Sequence, residues 1–246
     1  MNKGICIVAG VGEATGSAIV RRFAENGYKV AMIARNHNRL SKITSQIENT
    51  YSYPCDISNI DNLAKTITKI TNDLGLVNTL IHNAVSHTFG KFLESDPTEL
   101  ERNFRVNTTS LLYMARQLVP QMILSKEGTI IATGNTASFR GIPNYALFAP
   151  TKAAQRILCE SLARDLGPKG IHVGYIAIDA AIDAEWLGAT DEERPSWLVP
   201  PKDWPFRRDE YFANPCAIAD EVYHMAHQHR SAWAFETTIR PFAEYW

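Results

Sequence analysis

The stretch Gly4-Ile5-Cys6-Ile7-Val8-Ala9-Gly10-Val11-Gly12-Glu13-Ala14-Thr15-Gly16 decides the fold of this chain. Its apolar part, Ile5–Ala9, is typical of a buried strand, and a helix-period pattern follows over Ala14–Asn26. The glycines between them let the backbone turn sharply and approach a bound group closely. The free N–H groups and the positive dipole end of the helix favour a pyrophosphate there. The stretch therefore predicts a dinucleotide-binding turn after the first strand.

Strand-like and helix-like patterns alternate along almost the whole chain. The strand candidates are Ile5–Ala9, Lys29–Ala34, Thr79–His82, Thr129–Thr133 and Ile171–Ile178, with a weaker one at Tyr51–Cys55 and a final one near Trp233–Arg240. The helix candidates are Ala14–Asn26, Arg39–Glu48, Asn59–Asp73, Pro97–Leu124, Tyr145–Leu166 and Cys216–His227. This alternation predicts an α/β fold: a single-domain doubly wound Rossmann fold over residues 1–246, with a parallel sheet of about seven strands and helices on both faces.

Two features interrupt this rhythm. Pro120 lies inside the long fourth helix pattern and is expected to kink or end that helix. Residues 183–213 are rich in proline and tryptophan, and so long a connection inside a compact domain is usually functional. We therefore expect a substrate lid around 183–213; the alternative is a surface excursion packed by its own aromatic side chains.

The composition is that of an ordinary soluble globular protein, with 45% hydrophobic and 21% charged residues. A formal net charge of -1 argues against a nucleic acid or an anionic membrane as the main partner. No apolar run reaches the roughly 18 residues that a membrane span needs, and the N-terminal run is too short for a signal peptide. The four cysteines have no paired or metal-like spacing, so we expect reduced thiols, no metal site and a cytoplasmic location.

The end of the second strand candidate bears on the choice of nicotinamide cofactor. An acidic residue there would bind a ribose 2′-hydroxyl, whereas this chain has Ala34 followed by Arg35. A cation suits a 2′-phosphate, so NADP is favoured and NAD stays possible. Glu13 opposes this choice because an anion in the turn disfavours further phosphate charge. The alternative for Arg35 is a solvated loop cation.

Further motifs follow the glycine turn in a fixed order. They are Gly10, Gly12 and Gly16 with Ala14 in place of a middle glycine, then Cys55-Asp56-Ile57, His82-Asn83-Ala84-Val85, Asn107 and Lys152. Over nearly the whole chain this order resembles the short-chain dehydrogenase/reductase family. The resemblance implies a small-molecule substrate, a homodimer or homotetramer, and a cofactor-binding set of Gly10, Gly12, Glu13, Ala14, Thr15, Gly16, Arg35, Asp56, Ile57, Asn83, Ala84, Lys152 and Ile182.

The catalytic positions depart from the family pattern. The family has a tyrosine four residues before its lysine, and this chain has Phe148 there. The family's serine, thirteen residues before that tyrosine, is replaced by Asn135. The chain thus resembles a minor branch that carries phenylalanine in place of the tyrosine. The resemblance implies a catalytic set of Lys152, Asn135 and Asn107, the last being the family's structural asparagine.

Other groups are candidates for the missing proton donor. Tyr145 lies on nearly the same helical face as Phe148 and Lys152, unless it belongs to a loop before the helix. Asn135 could polarise a carbonyl through its amide N–H, and His82 and His87 are further candidates. We therefore hypothesise an NADP(H)-dependent oxidoreductase with an altered proton donor, acting on a small hydrophobic or aromatic substrate. The alternative hypothesis is a catalytically inactive dinucleotide-binding sensor or regulatory protein.

Overall fold

The structure is a computed structural model that describes residues 3–183 and 208–243. Most of the predicted lid at 183–213 lies outside these described residues. In the described ranges no helix is both long and apolar enough to cross a membrane.

Within the described residues, seven strands form one parallel sheet in the order β3-β2-β1-β4-β5-β6-β7. They are β1 Gly4–Ala9, β2 Tyr28–Ala34, β3 Thr50–Pro54, β4 Val77–His82, β5 Gly128–Asn135, β6 Ile171–Ile178 and β7 Glu236–Ile239. The predicted doubly wound Rossmann sheet is confirmed. The strand order reverses between β1 and β4, so a crevice opens at their carboxyl ends.

The connecting helices cover both faces of the sheet. They are α1 Thr15–Glu25, α2 His37–Gln46, α3 Ile60–Leu74, α4 Pro97–Phe104, α5 Ser110–Ser125, α6 Ala149–Leu166, α7 Arg208–Tyr211 and α8 Pro215–Ala226. One buried cluster joins the sheet to α3, α5 and α6 through side chains such as Leu63, Met114 and Cys159. A second cluster joins the other face to α1, α2 and α8 through side chains such as Phe23 and Leu40.

The long helix predicted over Pro97–Leu124 is divided, but it does not end at Pro120. A π-helical turn at Arg105–Thr109 separates α4 from α5, whereas α5 continues through Pro120 to Ser125. Pro120 and Arg116, whose carbonyl loses its helical partner, both lie on the exposed face. Water can bond that carbonyl, so the proline does not end the helix.

The start of the predicted helix Tyr145–Leu166 is also different. Helix α6 begins at Ala149, so Tyr145 belongs to the loop before it, which was the alternative position. The turn is held by bonds from the N–H groups of Phe148 and Ala149 to the carbonyl oxygen of Tyr145, both at 2.9 Å. Phe148 is the N-cap residue of α6, and its carbonyl accepts from the N–H of Lys152 at 3.3 Å.

Candidate active site

A cavity of about 1010 Å³ lies at the carboxyl ends of the central strands. Of the residues that the sequence singled out, the following line it: Gly10, Gly12, Glu13, Ala14, Thr15, Gly16, Arg35, Asp56, Ile57, Asn83, Ala84, Asn135, Phe148, Lys152 and Ile182. Asn107 and Tyr145 are not in its wall. Across the described ranges, no group of three or more His, Cys, Asp or Glu residues is arranged to hold a metal ion.

A glycine is needed at each of the three positions of the turn for a different physical reason. Gly10 has a φ of +92°, and a Cβ atom there would lie 2.4 Å from the backbone of Ala84. A Cβ at Gly16 would lie 2.5 Å from the carbonyl oxygen of Gly10. Gly12 faces open space, with no atom within 4 Å of its would-be Cβ. Protein packing therefore explains Gly10 and Gly16, whereas Gly12 leaves room for a bound group.

Three buried polar atoms in the cavity wall have no hydrogen-bond partner among the described residues. They are Thr15 Oγ1 in the first turn of α1, Asn135 Oδ1 at the end of β5, and Nε of Arg39. Ala14 is the N-cap residue of α1 and offers no side-chain acceptor to the free N–H groups. Buried polar groups are normally hydrogen-bonded, so these donors and acceptors fit a polar, anionic ligand such as a dinucleotide.

Three arginines line the cavity, Arg35, Arg39 and Arg102, and only Arg35 was predicted from the sequence. Arg35 is exposed, and Arg39 lies one helical turn further on with its Nη2 atom 3.4 Å from Glu13 Oε1. The Nε atom of Arg39 is buried and has no hydrogen-bond partner. The spacing of four residues at the start of α2 was the signal that could have identified Arg39. Since Glu13 is paired with a cation, its charge opposes an added phosphate less than the sequence alone suggests.

Asp56 lines the same cavity. Its Oδ1 atom accepts from the Ser58 N–H at 3.0 Å and from the Ser58 hydroxyl at 2.8 Å. Partial burial raises the pKa of Asp56, but these hydrogen bonds and the charges of Arg35 and Arg102 outweigh it and lower the pKa overall. The carboxylate is therefore charged at neutral pH.

Asn83 ties three strands together at the cavity floor. Its Nδ2 atom donates to the Gly10 carbonyl at 2.8 Å, and its Oδ1 atom accepts from the Thr133 hydroxyl at 2.9 Å. Its backbone N–H donates to the Ala9 carbonyl at 2.8 Å. The Asn83 side chain thus shapes the cavity by holding the ends of β1, β4 and β5 in register.

Asn107 does not line the cavity but bonds a residue that does. It lies fully buried in the π-helical turn, where Nδ2 donates to the Ser86 carbonyl and to Thr151 Oγ1, both at 2.8 Å. Its Oδ1 atom accepts from the Ser86 N–H at 2.8 Å. Ser86 lines the cavity, so Asn107 fixes the segment after β4 against the start of α6.

Lys152 is a buried cation with neutral partners only. Its side chain is 2% exposed, and Nζ donates to Gln155 Oε1 at 2.9 Å and to the Thr133 carbonyl at 3.3 Å. Burial lowers the pKa of Lys152 from 10.5 to about 8. The ammonium form therefore still predominates at neutral pH.

Aromatic side chains surround the position where a tyrosine hydroxyl would be expected. Phe148 is 3% exposed, and its ring centroid lies 6.0 Å from that of Tyr145, 5.3 Å from that of Phe89 and 6.3 Å from that of His87. The pKa of Tyr145 is raised by burial, so its hydroxyl keeps its proton at neutral pH. Burial, together with the charge of Lys152, lowers the pKa of His87, which is therefore neutral.

His82 is not available as a proton donor to the cavity. It is fully buried, and burial together with the charge of Lys152 lowers its pKa to about 3. Both ring nitrogens are bonded, Nδ1 to Gln155 Nε2 at 3.1 Å and Nε2 to Ser110 Oγ at 2.8 Å.

Comparisons with known proteins agree with this geometry. A family model described as short chain dehydrogenase matches residues 4–192. Versicolorin reductase stcU of Emericella nidulans is 29% identical over 198 residues, covering 78% of this chain and 74% of the relative. An uncharacterized oxidoreductase of Staphylococcus aureus is 24% identical over 242 residues, covering 96% of each chain.

Solved structures share the fold over almost the full length. A metagenomic short-chain oxidoreductase in complex with NADP has a TM-score of 0.81 at 23% identity, covering 98% of each chain. An alcohol dehydrogenase from Thermococcus sibiricus, complexed with 5-hydroxy-NADP, has a TM-score of 0.82 at 21% identity, with the same coverage. A short-chain dehydrogenase from Rhodopseudomonas palustris has a TM-score of 0.80 at 25% identity, covering 98% of this chain and 100% of the other.

Two glycine substitutions separate packing from ligand access. We expect Gly10→Ala to lower the melting temperature, because its Cβ atom would meet the backbone of Ala84 and its φ is positive. We expect Gly12→Ala to leave the melting temperature within a few degrees and to weaken dinucleotide binding at least about tenfold, since its Cβ atom would enter the cavity. Thermal unfolding and calorimetric titration measure the two effects, and equal melting shifts for both variants would contradict this division.

Lys152→Met tests the buried ammonium. Folded Lys152 has a pKa of about 8 against 10.5 when solvated, so the folded state releases its proton first. The unfolding free energy of the native protein should therefore rise between about pH 8 and 10.5, by at most about 3 kcal/mol. Lys152→Met should lack this rise. Urea unfolding at several pH values measures it, and identical pH profiles for the two proteins would refute the prediction.

Proposed function

This chain belongs to the short-chain dehydrogenase/reductase family, and we propose that it is an NADP(H)-dependent oxidoreductase with an altered proton donor, acting on a small hydrophobic or aromatic substrate. The observation that carries the proposal is one cavity whose wall contains both the open side of Gly12 and the buried Lys152. Apolar residues of the same wall include Phe148, Val85, Ile178 and Ile182.

The choice of NADP rests on charge at one end of the cavity. Arg35 and Arg39 both line it, and no acidic side chain follows β2 at the position that would accept from a ribose 2′-hydroxyl. A guanidinium fork is well suited to a phosphate. Two structural neighbours are described as complexes with NADP or 5-hydroxy-NADP, which agrees with this choice.

The proposed roles of the chain follow from the contacts described above. The N-terminus of α1, with Thr15, holds the pyrophosphate; Lys152 donates a hydrogen bond to the nicotinamide ribose; Asn135 holds a polar group near the reacting atoms. A bound nicotinamide supplies a hydride acceptor or donor. Asn83 and Asn107 keep the wall in place and touch no substrate.

The absence of a hydroxyl at residue 148 limits the reaction class. A general acid typically contributes about 10²–10⁴-fold to such a rate, and a ketone would lose most of that. Substrates that need little protonation, such as a conjugated alkene or an iminium, fit Phe148 best. Tyr145 is the proposed replacement donor: it lies outside the cavity wall, but its ring contacts Phe148 with centroids 6.0 Å apart and its hydroxyl keeps its proton.

A cytoplasmic location and self-association are part of the same proposal. The four cysteines are all free, three of them buried, which suits a reducing compartment. Helices α5 and α6 carry the exposed apolar side chains of Leu112, Tyr113 and Ile157, which suit an interface between identical copies.

Calorimetric titration with NADPH and NADH tests the cofactor. We expect NADPH to bind more tightly than NADH. Arg35→Ala and Arg39→Ala should each reduce the ratio of the two affinities about tenfold, because each removes a charged partner of the 2′-phosphate. Glu13→Gln should increase this ratio of affinities, because it removes the carboxylate that pairs with Arg39. Arg21→Ala, an exposed arginine on α1 outside the cavity, is the matched control. Equal affinities of the unmodified protein for the two nucleotides would overturn the choice of NADP.

Phe148→Tyr tests the reaction class. With Lys152 already in place, the new hydroxyl should create or raise carbonyl reductase activity on aromatic ketones by about 10²-fold or more. Phe148→Leu, which adds no hydroxyl, is the control.

The outcome separates the competing explanations. A Phe148→Tyr protein that binds NADPH but gains no ketone reduction would mean that the cavity is not a carbonyl site. If Tyr145 is the donor in the unmodified protein, Tyr145→Phe lowers its residual reduction of ketones, which need a proton, at least about tenfold. Binding of NADPH without hydride transfer to any acceptor would favour the inactive sensor.

A further inference from the structure

Lys152 is the first member of a chain of buried polar side chains that leads away from the cavity. Gln155, one helical turn along α6, is fully buried and accepts from Lys152 Nζ through Oε1 at 2.9 Å. Its Nε2 atom lies 3.1 Å from Nδ1 of His82 on β4. The other ring nitrogen of His82 lies 2.8 Å from Ser110 Oγ, and the Ser110 hydroxyl donates to the Val106 carbonyl at 2.7 Å.

The two ends of this chain fix the direction of every hydrogen bond. An ammonium can only donate and a carbonyl can only accept. Gln155 must therefore donate to Nδ1 of His82, which leaves the imidazole proton on Nε2, from where it is donated to Ser110. His82 has to be neutral for this arrangement, and its low pKa agrees with that. Every member of the chain thus donates one hydrogen bond to the next, from the Lys152 ammonium to the Val106 carbonyl.

We propose that Gln155, His82 and Ser110 are positioning residues that hold the Lys152 ammonium at the cavity by a one-way hydrogen-bond chain ending at the π-helical turn. Lys152 Nζ has three N–H groups. Gln155 and the Thr133 carbonyl accept two of them, which leaves one for the occupant of the cavity. The chain thus sets both the charge and the direction of the lysine.

The other titratable groups near Lys152 carry no negative charge that could stabilise its ammonium. The titratable groups that face it are His82 from β4, His87 from the loop after β4, Cys159 from α6 and, across Phe148, Tyr145. Burial raises the pKa of Cys159 to about 12, so the thiol is neutral, as are the other three. No carboxylate in the part of the chain that the structure describes makes an ion pair with Lys152. Neutral dipoles therefore stabilise the ammonium, and Gln155 is the nearest of them.

Two substitutions of Gln155 with opposite chemistry test the proposal. Gln155→Met removes the acceptor at similar length, so the midpoint of the Lys152 titration should fall by about one pH unit or more. Gln155→Glu places a carboxylate against the ammonium, so the midpoint should rise by about as much. Carbon NMR of ¹³C-lysine-labelled, ligand-free protein measures the midpoint of the Lys152 titration. The Lys152 signal is identified as the one that is missing from the Lys152→Met protein. Gln121→Met, an exposed glutamine on α5, is the control.

Opposite shifts in the two variants are the result that a merely structural role would not produce. Unchanged midpoints, or shifts in the same direction, overturn the proposal. If the Gln155→Met protein does not fold, the upward shift in Gln155→Glu decides alone, since glutamate is nearly isosteric with glutamine.

This inference deepens the proposed function, because Lys152 is there assigned to the nicotinamide ribose, but its test is separate. The lysine titration is measured without nucleotide. If the unmodified protein binds no nucleotide, the proposed function fails while the titration still decides the hydrogen-bond chain. If nucleotide binds, Gln155→Met should weaken NADPH binding most above about pH 7, where its lysine loses the proton, while the Gln121→Met protein follows the unmodified protein.

Discussion

Gly10 lies so close to the segment after β4 that any Cβ atom at residue 10 would stand 2.4 Å from the backbone of Ala84. Asn83 closes the same junction by donating to the Gly10 carbonyl and accepting from Thr133. The carboxyl ends of β1, β4 and β5 are thereby fixed against one another. The glycine turn, the end of β5 and the start of α6 consequently face one cavity, and every later feature of the site depends on this contact.

The site that results stabilises a cation without an anion. Burying an ammonium costs free energy, and the lowered pKa of Lys152 expresses that cost. A carboxylate would offset the cost, but it would also repel a dinucleotide carrying several negative charges. Neutral acceptors such as Gln155 and the Thr133 carbonyl hold the lysine in place while its positive charge remains available to a ligand. The free energy that burial of the Lys152 ammonium costs is thus consistent with a role of this residue in ligand binding.

The sequence predicted the sheet well, because strands that are buried on both faces are continuous apolar runs bounded by turns. It did not show that the long helix divides at Arg105–Thr109 and continues through Pro120, because whether a proline ends a helix depends on which helix face meets water, a property of the tertiary structure. The resemblance identified Lys152, but the sequence argument missed Gln155. Spacing shows that the two share a helix face, whereas the partner of Gln155, His82, is 73 residues away in sequence. Arg39 was missed for a similar reason, since its partner Glu13 lies in the glycine turn, 26 residues away from it in sequence.

Phe148 packs against the surrounding aromatic side chains, so it does more than lack the hydroxyl of the family's tyrosine. Its ring meets His87 and Phe89 edge to face and Tyr145 at a tilted angle, and edge-to-face aromatic pairs add about 0.5–1.5 kcal/mol beyond burial. Residue 148 therefore contributes an apolar ring, and no proton donor, to the cavity wall. Under the proposed function, an apolar ring in the wall is compatible with hydride transfer, which needs a close and well-oriented carbon more than it needs a proton. The proposal therefore assigns dinucleotide binding to the residues that are retained, and a substrate that accepts a hydride unaided to the apolar ring at residue 148.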